Sequence, residues 1–114
     1  MEHAYREYKG KRRFQSETGH KDLKMLSRAV CQYREGRYTV TRYCETDIVV
    51  KHNNGSVTLS NGGFKTRSTL KHLNSFSRYT LRQVNWEWQV LINGEWVEFT
   101  DGMAILKDGT VRRG

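Results

Sequence analysis

The chain has 114 residues, of which 36% are hydrophobic, and its mean hydropathy is −0.82. This composition predicts a single domain with a thin core. No run of roughly eighteen apolar residues is present, so we expect no transmembrane helix and no contact with a membrane. The N-terminus is charged where a signal peptide needs an apolar stretch, which indicates a cytoplasmic protein.

The net charge of +8 is unevenly distributed along the chain. Residues 1–45 contain eleven Lys/Arg against six Asp/Glu, and residues 46–83 contain six against one. Residues 84–114 contain three against five and are mildly acidic. Such an excess is typical of proteins that contact phosphates or acidic protein surfaces, so the predicted partner is a nucleic acid, a nucleoprotein or an acidic protein.

The first 16 residues predict a basic arm of the kind that becomes ordered on a partner, and residues 17–114 predict one domain. Arg12 and Arg13 are the arm's candidate phosphate contacts. The segment that follows, "HKDLKMLSRAVCQYREG", has apolar residues at helical spacing, and Gly36 supplies a stop signal. We therefore expect an N-terminal amphipathic helix with an apolar stripe formed by Leu23, Leu26, Val30 and Tyr33.

Beyond Gly36 the apolar period changes to two, which predicts strands. The Asn54-Gly55 pair suits a two-residue hairpin turn that places Val50 opposite Leu59 and His52 opposite Val57. The Asn93-Gly94 pair likewise places Trp88 opposite Phe99 and Val90 opposite Val97, on the core face. On the other face Leu91 meets Trp96, and these two residues are a candidate protein interface.

The predicted fold class is α+β. We expect a twisted antiparallel sheet of five to six short strands joined by Asn-Gly and Asp-Gly turns. The N-terminal helix and a second, short helix near residues 68–76 complete it. The short helix has Leu70, Leu73 and Phe76 on one face, and Thr66 or Ser68 is its expected N-cap.

The double glycine Gly62-Gly63 just before this helix has two interpretations. It is either an anion site, because the first amides of a helix are unpaired and its dipole favours negative charge, or a turn that joins a strand to a capped helix. Neither GxxxxGK[ST] nor GxGxxG is present, so a nucleotide-binding loop is not indicated. If the segment is an anion site, the cationic side chains in and beside it are predicted to contact nucleic acid. They are Lys65, Arg67, Lys71, His72 and Arg78. Phe64 is a candidate for base stacking, although core packing is favoured for it.

The chain contains no recognisable catalytic or metal-binding pattern. Its histidines are scattered without metal-ligand spacing, and Cys31 and Cys44 have no CxxC partners. We therefore expect buried or half-buried thiols, no metal, no cofactor and no enzymatic activity.

Residues 46–107 resemble a family of small uncharacterised proteins from bacteriophages and bacteria. The resemblance rests on "NNGSVTL", on "GGFKTRST" with the short helix after it, and on "WQV" and "FTDGM". Asn61 stands where a Thr is common in that family, and Phe64 where a Trp is common. The resemblance implies a phage origin, a location in the host cell cytoplasm, and a role in host takeover or defence evasion.

Two functional hypotheses follow from these observations. The first is a small basic, non-enzymatic phage-type protein that contacts nucleic acid or a host nucleoprotein complex through a Lys/Arg surface. The alternative is a phage inhibitor that binds a host protein, for example an anti-CRISPR, another anti-defence protein or an RNA polymerase inhibitor. Its hydrophobic anchor would be the patch of Trp96 and Leu91.

Overall fold

A computed structural model describes residues 23–113, which form ten β-strands and one α-helix. The prediction of an α+β fold with five or six strands is therefore wrong, because the described chain is mostly β. The elements in chain order are β1 (Lys24–Met25), β2 (Val30–Glu35), β3 (Tyr38–Tyr43), β4 (Thr46–His52), β5 (Val57–Leu59), α1 (Arg67–Phe76), β6 (Leu81–Val84), β7 (Glu87–Ile92), β8 (Glu95–Glu98), β9 (Met103–Ile105) and β10 (Val111–Arg112).

The strands form two antiparallel sheets rather than one. The large sheet has seven strands in the order β1-β2-β3-β4-β5-β9-β10, and the small sheet has three in the order β6-β7-β8. After β5 the chain leaves the large sheet, forms α1 and the small sheet, and returns as β9 beside β5. Each sheet has one apolar face, and the second layer allows the large sheet to bury that face.

The main core lies between the large sheet, α1 and the small sheet. Trp88 is the largest side chain in it, is 2% exposed, and packs against Phe99 with 5.4 Å between the ring centroids. The other members come from all three parts of the fold: Ile48, Val49, Val57, Leu59, Leu73, Leu81, Val90, Ile92, Met103 and Ile105. A smaller cluster of Leu23, Cys31, Tyr33 and Val40 is packed with Met25 and Val50, next to Val49 of the main core on β4.

The predicted N-terminal amphipathic helix is also wrong over the residues that the structure describes, while residues 20–22 lie outside them. Residues Val30–Glu35 form β2, which pairs with β3 along its whole length around a turn in which Gly36 has a φ of 64°. Cys31 and Tyr33 are buried at the spacing of a strand, whereas Leu26 of the supposed helical stripe is 39% exposed. The helical spacing of the apolar residues was coincidental, and the pairing of β2 with the next strand in a hairpin decided the structure.

The β4–β5 hairpin has a register one residue away from the predicted one. Val49, not Val50, lies opposite Leu59, because the loop has three residues instead of two. His52 N donates to Ser56 O at 2.9 Å, and Gly55 ends the loop with a φ of 99°. This is the three-residue alternative for an Asn-Gly turn, in which glycine takes the left-handed position.

The β7–β8 hairpin confirms the predicted register. Val90 lies opposite Val97 and Leu91 opposite Trp96, and Phe99 N donates to Trp88 O at 3.0 Å. Asn93 and Gly94 have φ values of 50° and 82°, the left-handed pair that a tight two-residue hairpin turn requires.

The short helix is found where it was predicted, at Arg67–Phe76. Thr66 is its N-cap, and its hydroxyl oxygen accepts a hydrogen bond from Thr69 N at 3.2 Å. At the other end Ser77 N donates to Leu73 O at 3.0 Å. Leu73 is fully buried, so one face of α1 closes the main core and the opposite face is presented to solvent.

Candidate nucleic-acid interface

The double-glycine turn uses its backbone amides inside the protein. Asn61 N and Gly62 N donate to one carboxylate oxygen of Asp101 at 2.8 and 3.2 Å. Gly63 N donates to Asn61 Oδ1 at 2.8 Å, and Phe64 N to Asn61 O at 2.9 Å. Four consecutive amides are thus taken, so they are not free to hold a phosphate. The turn is a joint between a strand and a helix.

Gly62 also lies close to the start of β4. An ideal Cβ on this residue would be 2.6 Å from Thr46 Oγ1, and the φ of Gly62 is 65°. Both the space and the backbone conformation therefore require glycine here. Gly63 has a φ of 85°, yet a Cβ there would meet nothing within 4 Å. Gly62 is therefore required by both its conformation and its close neighbour, and Gly63 by its conformation alone.

We call Phe64, Lys65, Arg67 and Lys71 the basic helix surface. All four residues are exposed, and Phe64 is 62% exposed rather than packed in the core. Arg67 and Lys71 are four residues apart, so they lie on one face of α1. Residues 48–86 contain six Lys/Arg and no Asp/Glu. Within residues 23–113, no carboxylate forms an ion pair with the three cations of this surface.

Two other predicted contacts have different surroundings. The ring of His72 packs edge-on against Tyr43 with 4.3 Å between the centroids. Burial lowers the pKa of His72, and the neighbouring charge of Lys71 lowers it further, so the ring is neutral at pH 7. Arg78 Nη2 donates to Gly55 O at 2.6 Å, which ties the chain after α1 to the β4–β5 loop. Arg12 and Arg13 lie outside the described residues.

A cleft of about 360 Å³ opens beside the basic helix surface, between the β3–β4 turn and the double-glycine turn. No sequence pattern indicates this cleft, because its walls come from two separate segments of the chain. The lining residues are Tyr43, Cys44, Glu45, Thr46, Ile48, Asn61, Phe64, Thr66 and Thr69. Cys44, expected from the sequence only as a buried or half-buried thiol, lines this cleft. Its φ of 56° makes the tight turn that shapes one wall.

Polar groups in this cleft have hydrogen-bonding capacity to spare. Asn61 is 3% exposed, and its Oδ1 accepts from Gly63 N, but no acceptor for its Nδ2 is found within residues 23–113. Thr66 Oγ1 and Thr69 Oγ1 are 2.9 Å apart. Because only one of the two hydroxyl hydrogens can lie between these oxygens, the other is available to the cleft.

The outer face of the small sheet carries the other predicted interface. Trp96 is 36% exposed, and the guanidinium of Arg82 lies over its ring, 3.8 Å from the centroid. Leu91 beside it is half-buried. Trp86, for which the sequence predicted no role, is 83% exposed in the β6–β7 turn and has a φ of 70°. Trp86 and Trp96 lie near opposite ends of β7, so they do not form one patch.

Searches for relatives add no identification. No family model, no curated protein and no solved structure matches the chain. The resemblance to a phage family therefore stays a prediction. Among residues 23–113, no helix is long and apolar enough to cross a membrane, and no group of three or more His, Cys, Asp or Glu is placed to hold a metal ion.

Proposed function

We propose that this protein is a small non-enzymatic binding protein that contacts nucleic acid through the basic helix surface. The observation that carries the proposal is that Lys65, Arg67 and Lys71 are exposed and have no carboxylate partner within residues 23–113. Surface cations are usually interspersed with acidic residues. The stretch from 48 to 86 supplies six cations and no acid, so the nearby carboxylates of Glu45 and Asp101 come from other segments and leave this face with a net positive charge that attracts polyanions.

The expected contacts are with phosphates. Lysine and arginine contact phosphate oxygens without reading the sequence, and each contact releases counterions. The backbone amides of Arg67 and Ser68 at the start of α1 have no acceptor within the helix, because the side chain of the N-cap residue Thr66 accepts only from the Thr69 amide. These two amides add positive potential at the N-terminus of α1. Affinity should therefore depend strongly on salt and weakly on base sequence.

Direct binding tests the proposal. Fluorescence anisotropy of labelled DNA and RNA, single-stranded and duplex, is measured over a series of salt concentrations. We expect saturable binding at low salt and a linear fall of log affinity with log salt concentration. Absence of binding to every probe at low salt would overturn the proposal.

A second candidate function is inhibition of a host protein by direct binding, as the resemblance to phage proteins implies. Trp86 favours it, because a tryptophan that is 83% exposed is a typical hot spot of protein interfaces. Affinity capture from a nuclease-treated bacterial lysate separates the two candidates. A protein that wild type retains and Trp86→Ala loses would support binding of a host protein through Trp86, whereas loss in Trp96→Ala instead would assign the interface to the patch of Trp96 and Leu91.

A further inference from the structure

We infer that the cleft binds one unpaired nucleobase of a single-stranded nucleic acid while the adjoining phosphates contact Lys65 and Arg67. The inference rests on the proposed function and names its substrate class. The cleft touches the basic helix surface directly: Phe64 belongs to both, and Thr66, which lines the cleft, is flanked in the chain by Lys65 and Arg67. A base next to a phosphate held by Lys65 or Arg67 is therefore close to the cleft.

The size and walls of the cleft suit a flat aromatic ligand. Its volume of about 360 Å³ lies at the lower end of the range for small-molecule sites. Tyr43 and Phe64 supply aromatic surface, and Ile48 supplies an apolar floor. The edge-on contact with His72 at 4.3 Å holds the Tyr43 ring in place. Stacking on such side chains is the usual way in which proteins bind unpaired bases.

The polar groups of the cleft match the edge of a base. Asn61 Nδ2 and the remaining hydroxyl hydrogen of the Thr66–Thr69 pair are donors without acceptors in the described part of the chain. A buried donor that is left unpaired is costly, so a ligand carrying acceptors would be bound favourably. The Glu45 carboxylate on the wall of the cleft can accept from an amino or imino group. Ring nitrogens, carbonyl oxygens and amino groups on one planar edge are features of a nucleobase.

A base inside a duplex is stacked and paired, so it cannot enter a cleft of this kind without being extruded. An unpaired base can. The inference therefore predicts a preference for single strands that a phosphate-binding surface alone does not have.

The first test compares an ordinary single-stranded oligonucleotide with one of equal length in which every nucleotide is abasic. We expect the abasic strand to bind about 5- to 150-fold more weakly, which is the contribution of stacking one base. The slope of log affinity against log salt should be the same for both, because the phosphates are unchanged. Equal affinity for both strands would overturn the cleft inference and leave the proposed function intact. No binding of either would overturn the proposed function.

The second test fills the cleft chemically. N-ethylmaleimide should modify Cys44, which is partly exposed, and spare Cys31, which is 0% exposed. Because burial raises the pKa of the Cys44 thiol, the reaction needs mildly alkaline pH. We expect the modified protein to bind both strands as wild type binds the abasic one. Cys44→Ser treated in the same way is the control.

Phe64→Ala gives an independent measurement should modification unfold the protein, because Phe64 is 62% exposed and its loss should not disturb the core. We expect it to reduce the preference for the ordinary strand over the abasic one. A full preference retained in both the modified protein and Phe64→Ala would overturn the inference.

Discussion

Asp101 and Gly62 are joined by a hydrogen bond in which the backbone amide of Gly62 donates to a carboxylate oxygen at 3.2 Å. The same oxygen accepts from Asn61 N at 2.8 Å. An internal carboxylate thus fills the position that an external anion would take at a glycine-rich turn. The contact also links the segment before α1 to the turn that precedes β9, so it fixes the double-glycine turn to the large sheet.

Replacing Asp101 should loosen this joint. Asp101→Ala leaves two amides without their acceptor, and we expect the free energy of unfolding to fall by about 1–2 kcal/mol, a modest value because the carboxylate is exposed. Chemical denaturation measures the change. Glu95→Ala removes the same charge from another exposed site and should change stability by less than about 0.5 kcal/mol. Equal effects of the two variants would contradict the role of Asp101.

The two glycines should respond differently to alanine. Gly63→Ala has open space and incurs only the left-handed backbone strain, about 1–2 kcal/mol. Gly62→Ala incurs the same strain and also pushes a methyl group against Thr46 Oγ1, which adds about 1–3 kcal/mol. Thermal or chemical unfolding of both variants gives the comparison. A Gly63→Ala variant as unstable as Gly62→Ala would show that the close approach to Thr46 does not matter.

Sequence patterns predicted the structure where local chemistry decides it. The Asn93-Gly94 turn and the alternation around it were sufficient to place Trp88, Val90 and Phe99 in the core. At Asn54-Gly55 the same dipeptide predicted the wrong register. The loop has one residue more than expected, so the cross-strand partner of Leu59 is Val49 and not Val50. An Asn-Gly pair fits both loop lengths, so the choice depends on packing outside the hairpin.

Features that depend on distant segments were not predictable. The cleft forms because the left-handed turn at Cys44 lies next to the buried side chain of Asn61, and no local pattern in the sequence predicts that these two residues are neighbours. The strand β2 was missed for a different reason: Val30 and Tyr33 have the i, i+3 spacing of a helix, and Gly36 fits a helix stop as well as the turn that leads into β3. The cations Lys65, Arg67 and Lys71 could be proposed as a basic surface from the sequence alone, because the surrounding segment contains no acidic residue.

The main core should depend on Trp88. Its ring is 2% exposed and its Nε1 donates to Gln83 Oε1 at 3.1 Å. Trp88→Ala should therefore lower the free energy of unfolding by about 3–5 kcal/mol. Trp96→Ala should cost clearly less, since Trp96 is 36% exposed and packs mainly under Arg82. A wild-type melting temperature for Trp88→Ala would contradict the described core.

His72 should make stability dependent on pH. Its pKa in the folded protein is below the ordinary value of 6.5, so the unfolded chain binds the proton more readily. The neutral ring's contribution is fully present above pH 6.5 and is lost as the pH falls through 6.5 toward the folded pKa. Denaturation between pH 8 and about pH 5 should show a smaller loss for His72→Phe than for wild type. Parallel curves would contradict the placement of a neutral His72 against Tyr43.

The salt dependence of nucleic-acid binding tests the central claim most directly. In the triple variant Lys65→Ala, Arg67→Ala, Lys71→Ala, three phosphate contacts are lost, so the slope of log affinity against log salt should flatten by about two to three units. The variant Lys24→Ala, Arg28→Ala, Arg112→Ala removes the same charge from exposed residues elsewhere and should keep a slope close to that of wild type. A wild-type slope in the first variant would contradict the assignment of the basic helix surface as the nucleic-acid interface.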